Sequence, residues 1–418
     1  MSEHSADVLV IGGGAIGVCS AYYLSKQGRK VLLVEKGEIC SGSSYGNAGL
    51  IVPSHSIPLA SPGVISKGLK WMLNPESPFH IKPRFDPELF SWLWKFRAAS
   101  KESRVRKAIP TIRDLSLASL KLYKELAQDL EFGFEQKGWL VLFQNEDGLE
   151  SGREEALLLE EFGIKAPILS VDEAQKMLAG NRIKICGAVF YPQDAQLLPA
   201  QFVRGMAVLA EQNGVEIHTS TEVLGFETDG TGITKTQTTR GDFEAREIVL
   251  AGGSWSPVIA RDLNINLAIQ PGKGYSVTVK CPIEKQLPLP VFFSEARVGM
   301  TPMGDTLRFG GTLELSGFDL SINRRRVNAI LNTVPKYLPD LDPRSLELVE
   351  TWRGLRPCTP DGLPFLGRSP TYENLTIAAG HATIGISLAP ITGKIVSQLV
   401  TGEQPRIDLN LLRVDRFS

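Results

Sequence analysis

Asp7-Val8-Leu9-Val10-Ile11-Gly12-Gly13-Gly14-Ala15-Ile16-Gly17, continued by residues 18–30 and closed by Val31-Leu32-Leu33-Val34-Glu35, is the stretch whose reading decides the fold. The apolar run 8–11, the glycine turn, the amphipathic segment and the apolar run 31–34 predict strand, tight turn, helix and strand in succession. Gly12, Gly14 and Gly17 fit the dinucleotide fingerprint: one glycine makes the turn, one lets backbone approach a pyrophosphate, and one packs helix on sheet. Ala15 and Ile16 open the helix, whose free N–H groups and positive dipole end face the phosphates. Glu35, followed by Lys36, falls at the tip of the second strand, where a carboxylate accepts both ribose hydroxyls and repels a 2′-phosphate. A glycine-rich turn that binds nothing is the alternative, and the motif does not separate NAD from FAD.

A chain of 418 residues is long enough for two or more domains. Its net charge of −1 argues against nucleic acid, which calls for a concentrated basic patch. Five cysteines, at 19, 40, 186, 281 and 358, form no CxxC pair and no metal spacing, so no metal site and a reduced, cytoplasmic setting are expected. Residues 1–7 are polar and lead straight into the first strand, leaving no room for a signal peptide. No apolar stretch reaches about 20 residues, so no transmembrane helix is predicted, while peripheral contact at the inner face of the cell membrane stays open. No feature of the sequence specifies an oligomeric state.

Beyond Glu35, residues 40–50 include Ser43, Ser44, Asn47, Ala48, Gly49 and Leu50, either an ordinary loop or the small-residue wall that a flavin ring and its diphosphate need. Prolines and tryptophans then break residues 53–110 into short helices near 64–73 and 87–99, before a long helix over 109–131. A strand is expected at 138–144, a helix at 154–162, and another at 171–178 capped by Ser170 or Asp172. From Ala188 the βα style returns: a helix over 199–213, strands over 215–220 and 221–228 with Val223 placed to cover an adenine, and a strand over 247–251 running into Gly252 and Trp255. From 270 to about 340 the pattern is antiparallel, with strands expected at 275–280, 289–293, 297–302 and 307–313. These alternations predict an α/β chain in which a Rossmann-like domain (1–55, 188–269, 345–418) interleaves with a substrate domain on a mainly antiparallel sheet (56–187, 270–344).

Four motifs at these separations resemble the D-amino-acid oxidase and glycine oxidase superfamily of flavoproteins: the 12–17 fingerprint with Glu35, the run 251–256, Gly354-Leu355-Arg356-Pro357 with Asp361-Gly362, and Gly380-His381 through Gly393. Ser43-Ser44-Tyr45-Gly46-Asn47-Ala48-Gly49, Pro62-Gly63-Val64, Leu69-Lys70-Trp71-Met72 and Lys273-Gly274-Tyr275-Ser276 are most similar to the bacterial D-amino-acid dehydrogenases. The run 380–385 also resembles hydroxyproline and proline dehydrogenases. The resemblance implies noncovalent FAD and oxidation of a small-molecule amino acid to an imino acid, hydrolysed to a 2-oxo acid and ammonia. It also implies a quinone or dye as acceptor, or dioxygen if the chain is an oxidase. An electron-transfer FAD subunit is the rival from another class.

Hydride removal next to an amine needs a positioned substrate, and a planar bidentate cation is the natural clamp for its carboxylate. Arg356 matches the family's carboxylate-binding arginine; a salt-bridging role and the neighbouring Arg353 are the alternatives. Tyr275 either bonds the substrate carboxylate or packs in a sheet, and His55 either faces the substrate or sits on an exposed loop. His381 is expected to bring its backbone to the ring. A helix starting near Gly385 or Ile386 would point its N-terminus at the flavin's N1–C2 edge, making Gly380, Thr383, Ile384, Gly385 and Ile386 cofactor residues.

Overall fold

The structure, a computed structural model, describes residues 4–64, 76–282 and 286–417. The helix expected near 64–73 lies, apart from Val64, outside the described residues.

The opening strand His4–Ile11 is central to the first sheet, with Val31–Val34 parallel on one side and Gly241–Leu250 parallel on the other. Glu216–His218 extends the sheet beyond Val31–Val34, and Leu375–Ala379 pairs in parallel with the end of Gly241–Leu250. Residues 8–11 and 31–34 are buried throughout, as strands covered on both faces require. The helix Ala15–Lys26 packs against the C-terminal helix Gly385–Thr401; an added Cβ at Gly393 would meet the Cys19 carbonyl carbon at 2.5 Å, so the contact depends on glycine.

A second sheet stands over the first, with strand order Leu348–Cys358, Gln270–Lys280, Thr306–Leu315, Val298–Met303, Val291–Phe293, Trp139–Phe143, Gly187–Tyr191 and Ile168–Leu169. The helix Arg324–Tyr337 buries Val327, Ile330, Val334 and Tyr337 against its far face, where Tyr275, Val277 and Phe309 also lie. The near face, carrying Trp352, Gly354 and Arg356 in alternation, looks back toward the first sheet.

Several expectations are met within a residue or two: the helices Pro87–Ala99, Val171–Met177 with its Ser170 capping box, and Pro199–Gln212. Others need correction. The long helix is Glu102–Leu126 and runs through Pro110 instead of starting at it, because Val105, Ala108, Ile109, Ile112 and Leu115 form one buried stripe across the proline. The helix expected from 154 begins eight residues earlier, at Glu146, where the Asn145 side chain accepts from Gly148 N. Gly187–Tyr191, read as the return of the βα pattern, is antiparallel to Trp139–Phe143 in the second sheet. Leu348–Cys358, placed with the C-terminal nucleotide segment, pairs over its whole length with Gln270–Lys280.

Candidate active site

Between the two sheets lies one elongated cavity of about 1230 Å³. Of the catalytic and cofactor residues expected from sequence, all border it except Gly17, Gly49 and the alternative arginine, Arg353. Gly17 instead makes the close contact beneath the turn, where an added Cβ would lie 1.8 Å from Gly12 O. Gly49, at φ +73°, keeps its backbone against Leu197, whose carbonyl an added Cβ would meet at 2.2 Å.

The opening turn forms one end. Gly14 is the N-cap of the first helix and has no side chain of its own to cap it. Ala15 N donates to Ser44 Oγ at 3.1 Å, and Glu35 accepts from Gly13 N at 2.6 Å and Gly37 N at 2.9 Å. Lys36 Nζ lies 3.7 Å from the Trp255 ring centroid, and Val223 borders the same end. The loop 40–50 is fastened from above. Ser43 and Ser254 both donate to the Leu355 carbonyl, and the buried Arg308 donates to the carbonyls of Tyr45 (2.9 Å) and Asn47 (3.0 Å). The Trp352 ring lies on Gly46 and Gly354, where any Cβ would meet it at 2.0 or 1.8 Å.

Farther along, the helix Gly385–Thr401 starts without a side-chain cap, its first residues bordering the cavity. Tyr123, from the long helix, donates to Ile386 O at 2.5 Å, and Val52 N donates to Ser387 Oγ at 3.0 Å, which fixes that N-terminus. His381 brings its backbone to the cavity, while its ring is buried with Nε2 3.1 Å from Thr392 Oγ1. Burial lowers this imidazole to about 3, so it is neutral.

Arg356 lies across the roof. Its guanidinium rests on Gly274, where an added Cβ would come within 2.0 Å of Nη1, and Nη1 donates to Thr312 O at 2.7 Å. Thr312 has φ +63°, a left-handed backbone at a residue other than glycine. Arg353 does not border the cavity; its Nε donates to Leu320 O at 3.0 Å. Cys358 borders the cavity beside Arg356, and burial pushes its thiol up to about 11 against the opposing pull of Arg356, so it is not a thiolate nucleophile.

Tyr275 borders the cavity but does not offer its hydroxyl there. The side chain is 1% exposed among the far-face core residues, and its OH donates to Glu314 Oε2 at 3.1 Å. Glu314 is ion-paired with the buried Lys273 and Arg326. The reading of Tyr275 as a carboxylate ligand is therefore corrected, because alternation along the strand puts its ring on the opposite face from the Arg356 guanidinium. His55 is open to the cavity, with its ring 5.2 Å from that of Trp139. Its depth in the protein, and secondarily Arg297, lower the imidazole to about 4, so it faces the cavity neutral.

Sequence reasoning missed Trp352, Arg308 and the seat at Gly274. The signal for Trp352 was its place two residues before Gly354, on the same face as Arg356; the others depend on cross-strand register.

The family model described as FAD dependent oxidoreductase, DAO, matches residues 7–399. The chain belongs to this family of FAD-dependent oxidoreductases. Over 424 residues the oxidoreductase is 33% identical to a D-amino acid dehydrogenase of Bradyrhizobium diazoefficiens, covering 98% of this chain and 99% of that one. It is 34% identical to a D-amino acid dehydrogenase of Vibrio vulnificus, covering 95% and 96%. Among solved structures it resembles glycine oxidase from Geobacillus kaustophilus, with a TM-score of 0.81 and 26% identity over 99% of both chains. L-proline dehydrogenase from P. horikoshii shares the fold at a TM-score of 0.76 and 22% identity over 99% of this chain and 98% of that one. The cavity fits the family's cofactor: its glycines keep the walls open, and two helix N-termini whose N-cap residues, Gly14 and Ile384, carry no capping side chain face into it.

Proposed function

We propose that this oxidoreductase oxidises D-amino acids at Cα to imino acids, which water hydrolyses to 2-oxo acids and ammonia, with a quinone or dye-type molecule as electron acceptor. The observation that carries the reading is Arg356, a planar cation seated on Gly274 in the roof of the FAD cavity. Near-full-length similarity to proteins named D-amino acid dehydrogenase supports the choice of substrate. A pure electron carrier would need neither the cation nor the second sheet above it.

The segments of the first sheet form the FAD domain in this reading, and those of the second sheet the substrate domain. Gly12, Gly14, Ala15 and Ile16, with Ser43 and Ser44, would hold the pyrophosphate; Glu35, Lys36 and Val223 the adenosine; Gly252 and Trp255 flank that end. Asn47, Ala48, Leu50, Gly380, His381, Thr383, Ile384, Gly385 and Ile386 would surround the ring. Bound noncovalently, FAD supplies the hydride acceptor, N5 of its ring. Arg356 holds the substrate carboxylate bidentately, which fixes where Cα and its hydrogen stand. The N-terminus of Gly385–Thr401 supplies fixed positive potential at the ring without a titrating group. Neutral His55 offers a hydrogen-bond acceptor nitrogen to the substrate amino group, orienting it toward the cavity.

The helix Pro87–Ala99 is our choice for the acceptor's approach. Trp92, Leu93, Phe96 and Arg97 border the cavity, while Phe90 is 57% and Trp94 72% exposed. Among the described residues no helix is long and apolar enough to cross a membrane, and this exposed face is where peripheral contact would form. Anaerobic mixing with D-alanine tests the reaction: the flavin absorbance should bleach and pyruvate should form in equal amount. A flavin that stays oxidised with D-amino acids contradicts the reading.

A further inference from the structure

Arg297, like Arg356 and Arg97, borders the cavity, and it alone of the three stands on an unusual backbone. It closes the four-residue turn 294–297 between Val291–Phe293 and Val298–Met303, with its N–H donating to Ser294 O at 3.3 Å. Its φ is +53°, the left-handed region in which glycine is the favoured residue. A large cation kept where glycine fits best points to a use for the side chain. That side chain is exposed, and among the described residues its guanidinium has no hydrogen-bond or ion-pair partner.

Register places it near Arg356. Val298 pairs with Gly311, and the next residue, Thr312, supplies the carbonyl that Arg356 holds. On the cavity side the roof carries Gly299 opposite Gly310, leaving open space where side chains would stand. Trp139 and Phe292, with rings 5.4 Å apart, form an apolar wall at the same end, beside His55. Glu155 also borders this end and already has a partner.

We propose that Arg297 is the anchor for a distal carboxylate of the substrate, so that D-amino acids with acidic side chains are bound between the two arginines. The inference rests on Arg356 taking the α-carboxylate. The aromatic wall then covers the intervening methylenes, and Arg297 pairs with the far charge.

The test compares the holoenzyme with Arg297→Gly, a change that suits the backbone and so keeps the turn folded. In dye-linked assays, kcat/KM for D-glutamate should fall at least about tenfold while that for D-alanine changes less than about threefold. Arg297→Lys should recover part of the D-glutamate activity. Equal losses on both substrates, no loss on either, or a wild type that oxidises D-alanine but not D-glutamate would overturn the proposal. Titration with glutarate and butyrate, read from the flavin absorbance, keeps the two readings separable. Arg297→Gly should weaken glutarate about tenfold and leave butyrate unchanged, even if no amino acid is oxidised. Equal effects on the two acids would overturn the anchor by itself.

Discussion

At the end of the cavity bordered by Glu35, most of the groups assigned to the cofactor lie within residues 12–44 and are placed by local chain geometry: a glycine turn, a helix N-terminus, and a carboxylate accepting two amide N–H groups, with Val223, Gly252 and Trp255 arriving from farther along the chain. At the end bordered by Arg356, they come from residues as far apart as His55, Trp139, Thr312 and Ile386, placed by sheet register and helix packing. The first end binds by local geometry that a short sequence can specify alone. The second needs two sheets, a bulged strand pair and a long helix to be correct before any group is in place.

Breaking each end separately should therefore give different defects. The largest effect is expected at the second. Arg356→Ala removes a bidentate charge-assisted contact and should lower kcat/KM for D-alanine by ~10²- to 10⁴-fold, with FAD still bound at full occupancy. Near-normal kinetics in that variant would remove the clamp from the account. Gly17→Ala attacks the first end, because its Cβ would lie 1.8 Å from Gly12 O and backbone must move. A loss of about 1–3 kcal/mol of stability is expected, together with poor FAD retention, read as the ratio of flavin to protein absorbance and the melting temperature. Full FAD content in a normally stable variant would contradict the close packing of the turn.

A smaller, pH-dependent effect is expected at the loop carrying His55. Asp194 is buried and accepts from Ser54 N at 3.2 Å and from Ser54 Oγ, tying that loop in place. Burial pushes its carboxyl up to about 8, against the pull of the Ser54 hydrogen bonds. The folded chain keeps this proton to about pH 8, whereas an unfolded aspartate sheds it near pH ~4, so the stability it contributes at low pH is lost as pH rises between those values. Asp194→Asn cannot ionise. The wild type's advantage in melting temperature over the variant should shrink from pH 5 to pH 8; parallel curves would show that Asp194 ionises normally.

The same contrast explains what was legible in the sequence. The 12–17 turn, Glu35 and the helix at 385 were readable because each requirement is written within a few neighbouring residues. Arg356, which borders the cavity, was singled out through its resemblance motif, not its spacing. Of the two alternatives for Tyr275 the packing in a sheet holds, because cross-strand register pairs it with Arg353 and so turns it to the face away from Arg356, which no local pattern encodes. Gly187–Tyr191 and Leu348–Cys358 were placed with the wrong sheet because a short apolar or mixed strand does not name its partner. Arg308 and Trp352 owe their positions to partners about 260 to 310 residues distant and Arg297 to a turn conformation, and no local pattern encodes either.

The most direct test of the central claim is anaerobic mixing of the holoenzyme with matched D- and L-amino acids, following the flavin absorbance. The account predicts bleaching by D-amino acids, with one 2-oxo acid formed per flavin reduced, and little or none by their L-enantiomers. Bleaching by the L-enantiomers alone, or by neither series, would contradict it.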